Sequence, residues 1–465
     1  MVQKSVLLLN ASNMEGFPVY PYAFIQIPAV ARRHGIHVAC KDLLGIQKSD
    51  WGKTVLSLVE AQQPEMILVT LRNTDSLTFD DYKQVEDPSQ DGKSYFPIEQ
   101  TKDLIAAIRS VTDLKIAVGG FAFTLLHREL MHYLEPDYGV VFGPDEFFLR
   151  FEDILKGNLE GVSNTLYFRD GEVHTNPVRL FPPLDGPEYT TEAVQQMQAF
   201  NEEFPAPGIQ GSPVEVNRGC NHQCVFCAGK GQEVRYRSIP AIMADIRTLV
   251  EHGIRNIYII SSELNPEGND FILEVADEIY AFNQSQPEEE KITWFGANYL
   301  LKLSYEEHQR MNRSGFTGGW FDITALDDEN ARAMKTPYRN NQLIGDIKSY
   351  IRTERIRQME QDKDITAPAD AKLRWTMFMG NPATTLETIR KTLEIANQEG
   401  FSQEFVSCSL FPVTRVFDYE DLDESALEVT VSITPDLEEI AYDQLLPSFA
   451  FAPALLEEFG SGDEI

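Results

Sequence analysis

Three cysteines fall within eight residues, Cys220, Cys224 and Cys227, in the run Arg218-Gly-Cys-Asn-His-Gln-Cys-Val-Phe-Cys. Thiolates ligate iron, and a cubane of four irons needs four ligands. A C-x3-C-x2-C loop therefore holds three irons of a [4Fe–4S] cluster and leaves the fourth open to an outside molecule. A second chemistry is open to the same residues. With His222 the thiolates make a Cys3His set for zinc, although His222 sits inside the first cysteine interval, an awkward place for a tetrahedral ligand. Disulfides are a poor account. Five cysteines in 465 residues, with Cys40 and Cys408 isolated among apolar neighbours, are too sparse for a stapled secreted domain, and reduced thiols point to a cytoplasmic setting.

The cysteine spacing, with the aromatic Phe226 just before the last ligand, resembles the radical S-adenosylmethionine (radical SAM) superfamily. The resemblance implies that SAM's amino and carboxylate groups chelate the open iron and that reductive cleavage yields a 5′-deoxyadenosyl radical. It also implies an electron donor such as flavodoxin or ferredoxin.

The rest of the chain must position such a loop. With 43% apolar residues there is material for more than one core, and the length suggests two or three domains. Forty Lys and Arg against 72 Asp and Glu give a net charge of −32, which repels phosphate backbones and argues against a nucleic-acid partner. The apolar run Val6-Leu-Leu-Leu is too short for a signal sequence and reads as a first strand, and no apolar stretch approaches the length of a membrane span.

Residues 1–150 alternate aliphatic runs with helical patterns, as a doubly wound, Rossmann-like α/β domain does. Strands are expected at Ser5–Asn10, His37–Asp42, Met66–Leu71, Lys115–Val118 and Gly139–Phe142, with helices at Ala23–Arg33, Lys53–Gln62, Ile98–Val111 and Leu125–Leu134 between them. Ligands of such sheets sit beyond the carboxyl ends of the strands. The loops to inspect are therefore those beginning at Asn10, Leu71, Gly119 and Gly143.

Strand, Gly119-Gly120, helix, strand, then Gly143 before acidic residues resembles the N-terminal cobalamin-binding domain of the B12-dependent radical SAM branch. Glycine there lets backbone approach a flat macrocycle. The resemblance implies cobalamin contacts from Asn10, Arg72, Asn73, Gly119, Gly120 and Gly143. For Asn73 the alternative is an N-cap and turn role. Cobalamin mutases carry a cobalt-ligating histidine after the first strand; here the stretch reads Asn10-Ala-Ser-Asn-Met-Glu-Gly16, without one.

Residues 151–211 are rich in turn signals and read as a connector with a small hairpin around Thr165–His174. Residues 212–417 resume the βα alternation, with strands expected at Val214–Asn217, Asn256–Ile260, Thr293–Ala297, Gly319–Ile323, Leu373–Met379 and Phe405–Leu410. Six βα units make a partial (βα)6 TIM-like barrel, in which reactive groups gather at the carboxyl ends of strands. Cys220 follows the first of these strands directly. Glu263, Asn265, Asn298, Asp322 and Gly380 stand at the other strand ends, and resemblance to radical SAM barrels implies that they contact SAM, Gly380 against the adenine; a helix N-cap or loop hydrogen bond is the alternative for Glu263, Asn298 and Asp322. Arg415 suits either a substrate anion or a rim ion pair. Residues 418–465 read as a C-terminal extension.

Together these features imply a cobalamin-dependent radical SAM enzyme, with methyl transfer to an unactivated carbon of a small molecule or peptide as the family's leading activity. Radical chemistry without methyl transfer (ring formation, rearrangement, dehydrogenation) and a non-catalytic zinc scaffold are the alternatives. Neither nucleic acid nor membrane is expected as a partner.

Overall fold

A strand reading Lys-Ser-Val-Leu-Leu-Leu-Asn has no polar face to show to water, so it must be covered on both sides. In the computed structural model, which describes residues 4–13, 18–72, 97–125, 127–183, 185–205, 211–224, 231–296, 303–321, 328–333, 335–337, 344–345, 374–379, 391, 395 and 406–410, it is. Val6 and Leu8 face one apolar cluster, Leu7 and Leu9 the other, and all four are 0–1% exposed.

This strand, β1 (Lys4–Asn10), lies between β2 (Ile36–Asp42) and β3 (Met66–Thr70), and β4 (Ile116–Gly119) and β5 (Tyr138–Val140) follow in the same parallel sense. The order reverses at β1, so the loops leaving β1 and β3 diverge above the sheet. Helices α1 (Ala23–Arg32) and α2 (Trp51–Gln62) cover the sheet's two faces. Strand β5 is shorter than expected: the Val141 N–H turns to the Asn164 carbonyl at 2.9 Å, and Phe142 adopts φ +60°. The expected helix Leu125–Leu134 begins earlier, a first turn at Phe121–Leu125 preceding His127–Leu134.

The connector hairpin forms as β6 (Thr165–Arg169) and β7 (Glu172–Thr175). It does not stand apart but adds two antiparallel strands beyond β5, so the first sheet has seven strands and extends past residue 150. Further along the connector, helix Thr191–Glu203, capped by the Thr190 side chain, buries Val194, Met197 and Phe200 in the same apolar cluster as Val6 and Leu8.

The second sheet is six-stranded and wholly parallel, in the order β15 (Val406–Leu410), β14 (Arg374–Met379), β13 (Phe316–Phe321), β12 (Thr293–Gly296), β11 (Asn256–Ile260), β8 (Ser212–Glu215). Strand β13 starts three residues before its expected position. Gly318, at φ +129°, sits inside the strand where the pairing with β12 shifts register, a bulge that reads as a turn in sequence. The core of this sheet is continuous with that of the first: Val214, Ile257 and Ile259 join the cluster that holds Val6, Leu8 and Phe147.

Where the two sheets meet, the junction is polar and buried. Arg237, 1% exposed, donates from Nη2 to Asp245 and to the Gly186 carbonyl, both at 2.5 Å, and from Nη1 to the Glu215 carbonyl at 3.3 Å. Asp245 also accepts the backbone N–H groups of Glu188 (2.9 Å) and Tyr189 (3.1 Å). The Tyr189 hydroxyl reaches the Pro213 carbonyl at 2.5 Å, and Tyr22 at the start of α1 donates to Glu188. One guanidinium thus ties connector to barrel, and one phenol ties the first sheet to the connector.

Burial, followed by the neighbouring Glu215 carboxylate, pushes Glu188 up to about 7, against the opposing pull of Arg237 and the Tyr22 hydrogen bond. In the unfolded chain a glutamate ionises near 4.5. Between those values the folded state holds a proton that the unfolded state has released, so this group erodes stability as pH rises through the window, and the loss is complete above it. Glu188→Gln lacks the titration. The thermal midpoint of the wild type relative to Glu188→Gln is therefore expected to fall from pH 5 to pH 8, by an amount on the order of 3 kcal/mol in stability; a constant difference refutes the assignment.

Candidate functional site

Above the carboxyl ends of β1, β3, β4 and β5 lies a cavity of about 390 Å³ whose opposite wall belongs to the barrel. Arg72, Gly119, Gly120 and Gly143 line it from the first sheet, as expected, with Leu8, Leu68 and Phe147 forming an apolar floor beneath α1. Glu215, Arg218, Gly219 and Ser262 line it from the barrel.

Gly119 and Gly120 also serve a local need. A Cβ on Gly120, at φ +107°, would sit 2.4 Å from the Leu71 carbonyl oxygen, and one on Gly119 would sit 3.1 Å from that of Val140. Leu71 N–H bonds to the Gly119 carbonyl at 2.8 Å, and Ala122 N–H to the Leu71 carbonyl at 3.2 Å. The pair lets the loops after β3 and β4 touch, and so brings bare backbone to the cavity wall.

Asn10 is a correction. It is fully buried, donates to Asp42 at 2.8 Å and accepts from the Ser12 N–H and hydroxyl at 3.2 and 2.6 Å. It does not line the cavity; it props the loop that does, for Ser12 Oγ accepts the Arg72 N–H at 3.0 Å. Asn13 joins the same network, donating to Asp42 at 3.1 Å and to the Val19 carbonyl at 2.9 Å. Burial raises Asp42 above the usual carboxylate range, against the bonds from Asn10, the Leu44 N–H and Asn13.

On the barrel side the cysteine loop stands on a neck. Strands β9 (Asn217–Arg218) and β10 (Arg235–Tyr236) pair antiparallel, and the Gln232 N–H to Cys220 carbonyl (3.0 Å) and Gly231 N–H to His222 carbonyl (2.7 Å) bonds continue the closure. Gly219 permits it: at φ +82° its missing Cβ would lie 2.3 Å from the Glu233 carbonyl. Cys220 is 8% exposed and Cys224 half-buried. Cys227 and Phe226 lie outside the described residues.

The neck is fastened to the loop after β11. Asn217 donates to the Glu263 carbonyl at 2.7 Å and accepts the Ser262 N–H at 3.1 Å, and the Ser262 hydroxyl accepts the Gly219 N–H at 3.0 Å. Glu263 is half-buried beside this clamp, its carboxylate accepting the Leu264 N–H at 3.2 Å. Asn265 is a second correction: 4% exposed, it donates to Asn269 at 2.8 Å, and Asn269 in turn to Glu307 at 3.2 Å, so it braces a barrel loop against the capping box of helix Tyr305–Arg313. Asn73, Asn298, Asp322, Gly380 and Arg415 lie outside the described residues.

Sequence reasoning missed the Glu215–Arg218 pair. The Arg218 Nε and Nη2 groups donate to the two carboxylate oxygens at 2.7 and 2.9 Å, with both residues at most 9% exposed. Two opposite charges in the apolar run Val-Glu-Val-Asn-Arg were the available signal, since a buried charge needs a partner.

No protein-family model matches the chain. It is 23% identical over 318 residues to the tryptophan 2-C-methyltransferase of Streptomyces laurentii, covering 57% of this chain and 50% of that one. The chain thus spans about half the length of this curated relative. Among solved structures, the radical SAM methyltransferase TsrM of Kitasatospora setae with cobalamin and a [4Fe–4S] cluster bound superposes with TM-score 0.67 at 18% identity, over 89% of this chain and 77% of that one. The cobalamin-dependent radical SAM enzyme OxsB with aqua-cobalamin bound gives 0.62 at 15% identity, over 90% and 55%. The chain thus shares the overall fold of these two solved structures across both of its sheets.

The clamp makes a separable prediction. Asn217→Ala removes two part-buried hydrogen bonds, to the Glu263 carbonyl and from the Ser262 N–H, which costs about 1–3 kcal/mol. Its thermal midpoint should fall and its iron content after anaerobic reconstitution should drop below that of the wild type, as measured by calorimetry and iron assay.

Proposed function

We propose that this chain is a cobalamin-dependent radical SAM C-methyltransferase acting on an unactivated carbon of a small-molecule or peptide substrate. The observation that carries the reading is geometric. The carboxyl ends of one parallel sheet and the cysteine neck of another open on a single cavity, so a group held by the first faces a group held by the second.

The residues suit both groups. Backbone of Gly119, Gly120 and Gly143 over an apolar floor would accept the edge of a flat macrocycle, and the stretch after β1, residues 10–13, contains no imidazole. Cys220 and Cys224, with Cys227, would hold the cluster. When bound, cobalamin carries a methyl group and the cluster with SAM supplies one-electron chemistry. The protein's own part is to fix and enclose. The neck sets the height of the cysteine loop, the Asn217 clamp locks it to the loop after β11, and the buried junction keeps water from the cavity's back wall. Glu263, half-buried beside the clamp, is placed to accept from SAM's ammonium or ribose.

Flavodoxin or ferredoxin would deliver electrons. With a net charge of −32 the chain is not expected to bind nucleic acid. Among the described residues no helix is long and apolar enough to cross a membrane, and we place the protein in the cytoplasm on its reduced thiols.

Anaerobic reconstitution with iron, sulfide and hydroxocobalamin tests the proposal. About four irons and one corrinoid per chain are expected, with the iron lost in Cys224→Ala; zinc without iron sinks it. S-adenosylhomocysteine formed in step with product separates methyl transfer from other radical chemistry.

A further inference from the structure

The Arg218 guanidinium lines the cavity, yet it is bound on one edge only. Nε and Nη2 go to Glu215, and Nη1 has no acceptor among the described residues. A buried guanidinium with an idle donor edge on a cavity wall is a recognition element, because leaving it unmatched in a filled site is costly.

The surroundings decide what it recognises. Its charge is already matched by the two-point Glu215 pair, and Asp145, just beyond the Gly143 loop, faces it electrostatically as well. A carboxylate or phosphate on Nη1 would add a third negative group to this desolvated corner. A neutral carbonyl takes the hydrogen bond without adding charge. We infer that Arg218 is the barrel-side hydrogen-bond donor to a peripheral amide carbonyl of the corrin ring. This rests on the cofactor reading above, and it deepens it: the periphery of cobalamin is studded with acetamide and propionamide groups, and Arg218 lines the same cavity as the glycine loops that would seat the ring.

The consequence is mechanical. Arg218 closes β9, and Cys220, the first cluster ligand, follows two residues later, so one side chain registers the cluster loop against the cofactor held by the other sheet. Arg218 is a positioning residue; it touches the ring's edge, not the reacting atoms.

The test is corrinoid binding by the full chain after anaerobic iron and sulfide loading. Arg218→Lys keeps a cation opposite Glu215 but has no second planar edge. It should load iron as the wild type does and bind hydroxocobalamin about tenfold more weakly in equilibrium dialysis. If the lysine variant does not fold, Glu215→Gln with Arg218→Gln, which removes both charges together, should show the same weakening. Dicyanocobinamide keeps the corrin amides but lacks the nucleotide tail, so the loss should be of the same size with it. Equal hydroxocobalamin affinity in variant and wild type overturns the inference while leaving the cofactor reading intact, and reassigns Nη1 to a substrate amide. A loss confined to hydroxocobalamin also overturns it, since the contact would then be to the tail. A wild type that binds neither corrinoid removes the cofactor reading itself.

Discussion

Two guanidiniums buried among three carboxylates hold this molecule together where its two sheets meet. Arg237 and Arg218 face Asp245, Glu188 and Glu215, and none of the five is more than 9% exposed. The charges leave one negative over, and burial, which raises the Glu188 carboxyl, makes that group the readiest of the three to take up a proton. Such clusters contribute little net stability compared with an apolar filling of the same shape, but losing one partner strands the other, at about 3–5 kcal/mol. What the cluster supplies is a unique arrangement. The charges come from three stretches of chain, Glu188 from the connector, Glu215 with Arg218 from the end of β8 and the neck, and Arg237 with Asp245 from the segment after β10, and Tyr22 ties α1 into them, so the cluster favours one relative placement of the two sheets.

That placement is what gives the cysteine loop a purpose. A three-thiolate loop at the end of a neck is only a metal site, and a parallel sheet with bare glycines at its strand ends is only a cleft. Set edge to edge across about 390 Å³, they form one chamber with a floor of Leu8, Leu68 and Phe147 and a wall of hydrogen-bonding groups. The apolar core runs unbroken from the first sheet through Val194, Met197 and Phe200 of the connector helix to Val214 and Ile259, so the chamber's back is as solid as either sheet.

The alternation of strands and helices was legible because buried parallel strands advertise themselves: Val6–Leu9, Met66–Val69 and Ile257–Ile260 have nothing polar to place in water. The cysteines and glycines were legible because their chemistry is carried by residue type. What stayed hidden depends on partners far away in sequence. The link between Glu188 and Tyr22 spans 166 positions, and the β6–β7 hairpin is a local signal whose docking on β5 is not. Asn10 and Asn265 were misread for a physical reason. An asparagine at a strand end can face a ligand or brace the neighbouring loop, and both braced loops.

A sheet of six strands that does not close has two outer strands, here β15 and β8, and β8 is the one the connector reaches. Its alternate residues point their backbone groups at β11, as the Val216 N–H does to Ile260, so Pro213 and Glu215 point the other way. Proline has no N–H to offer there. Its carbonyl is occupied by the Tyr189 hydroxyl, and the Glu215 carbonyl by Arg237. The connector and the junction arginine have thus disarmed the edge: a foreign strand approaching β8 finds a missing donor and two occupied acceptors. On the β8 side the sheet can stay open without inviting another chain to extend it.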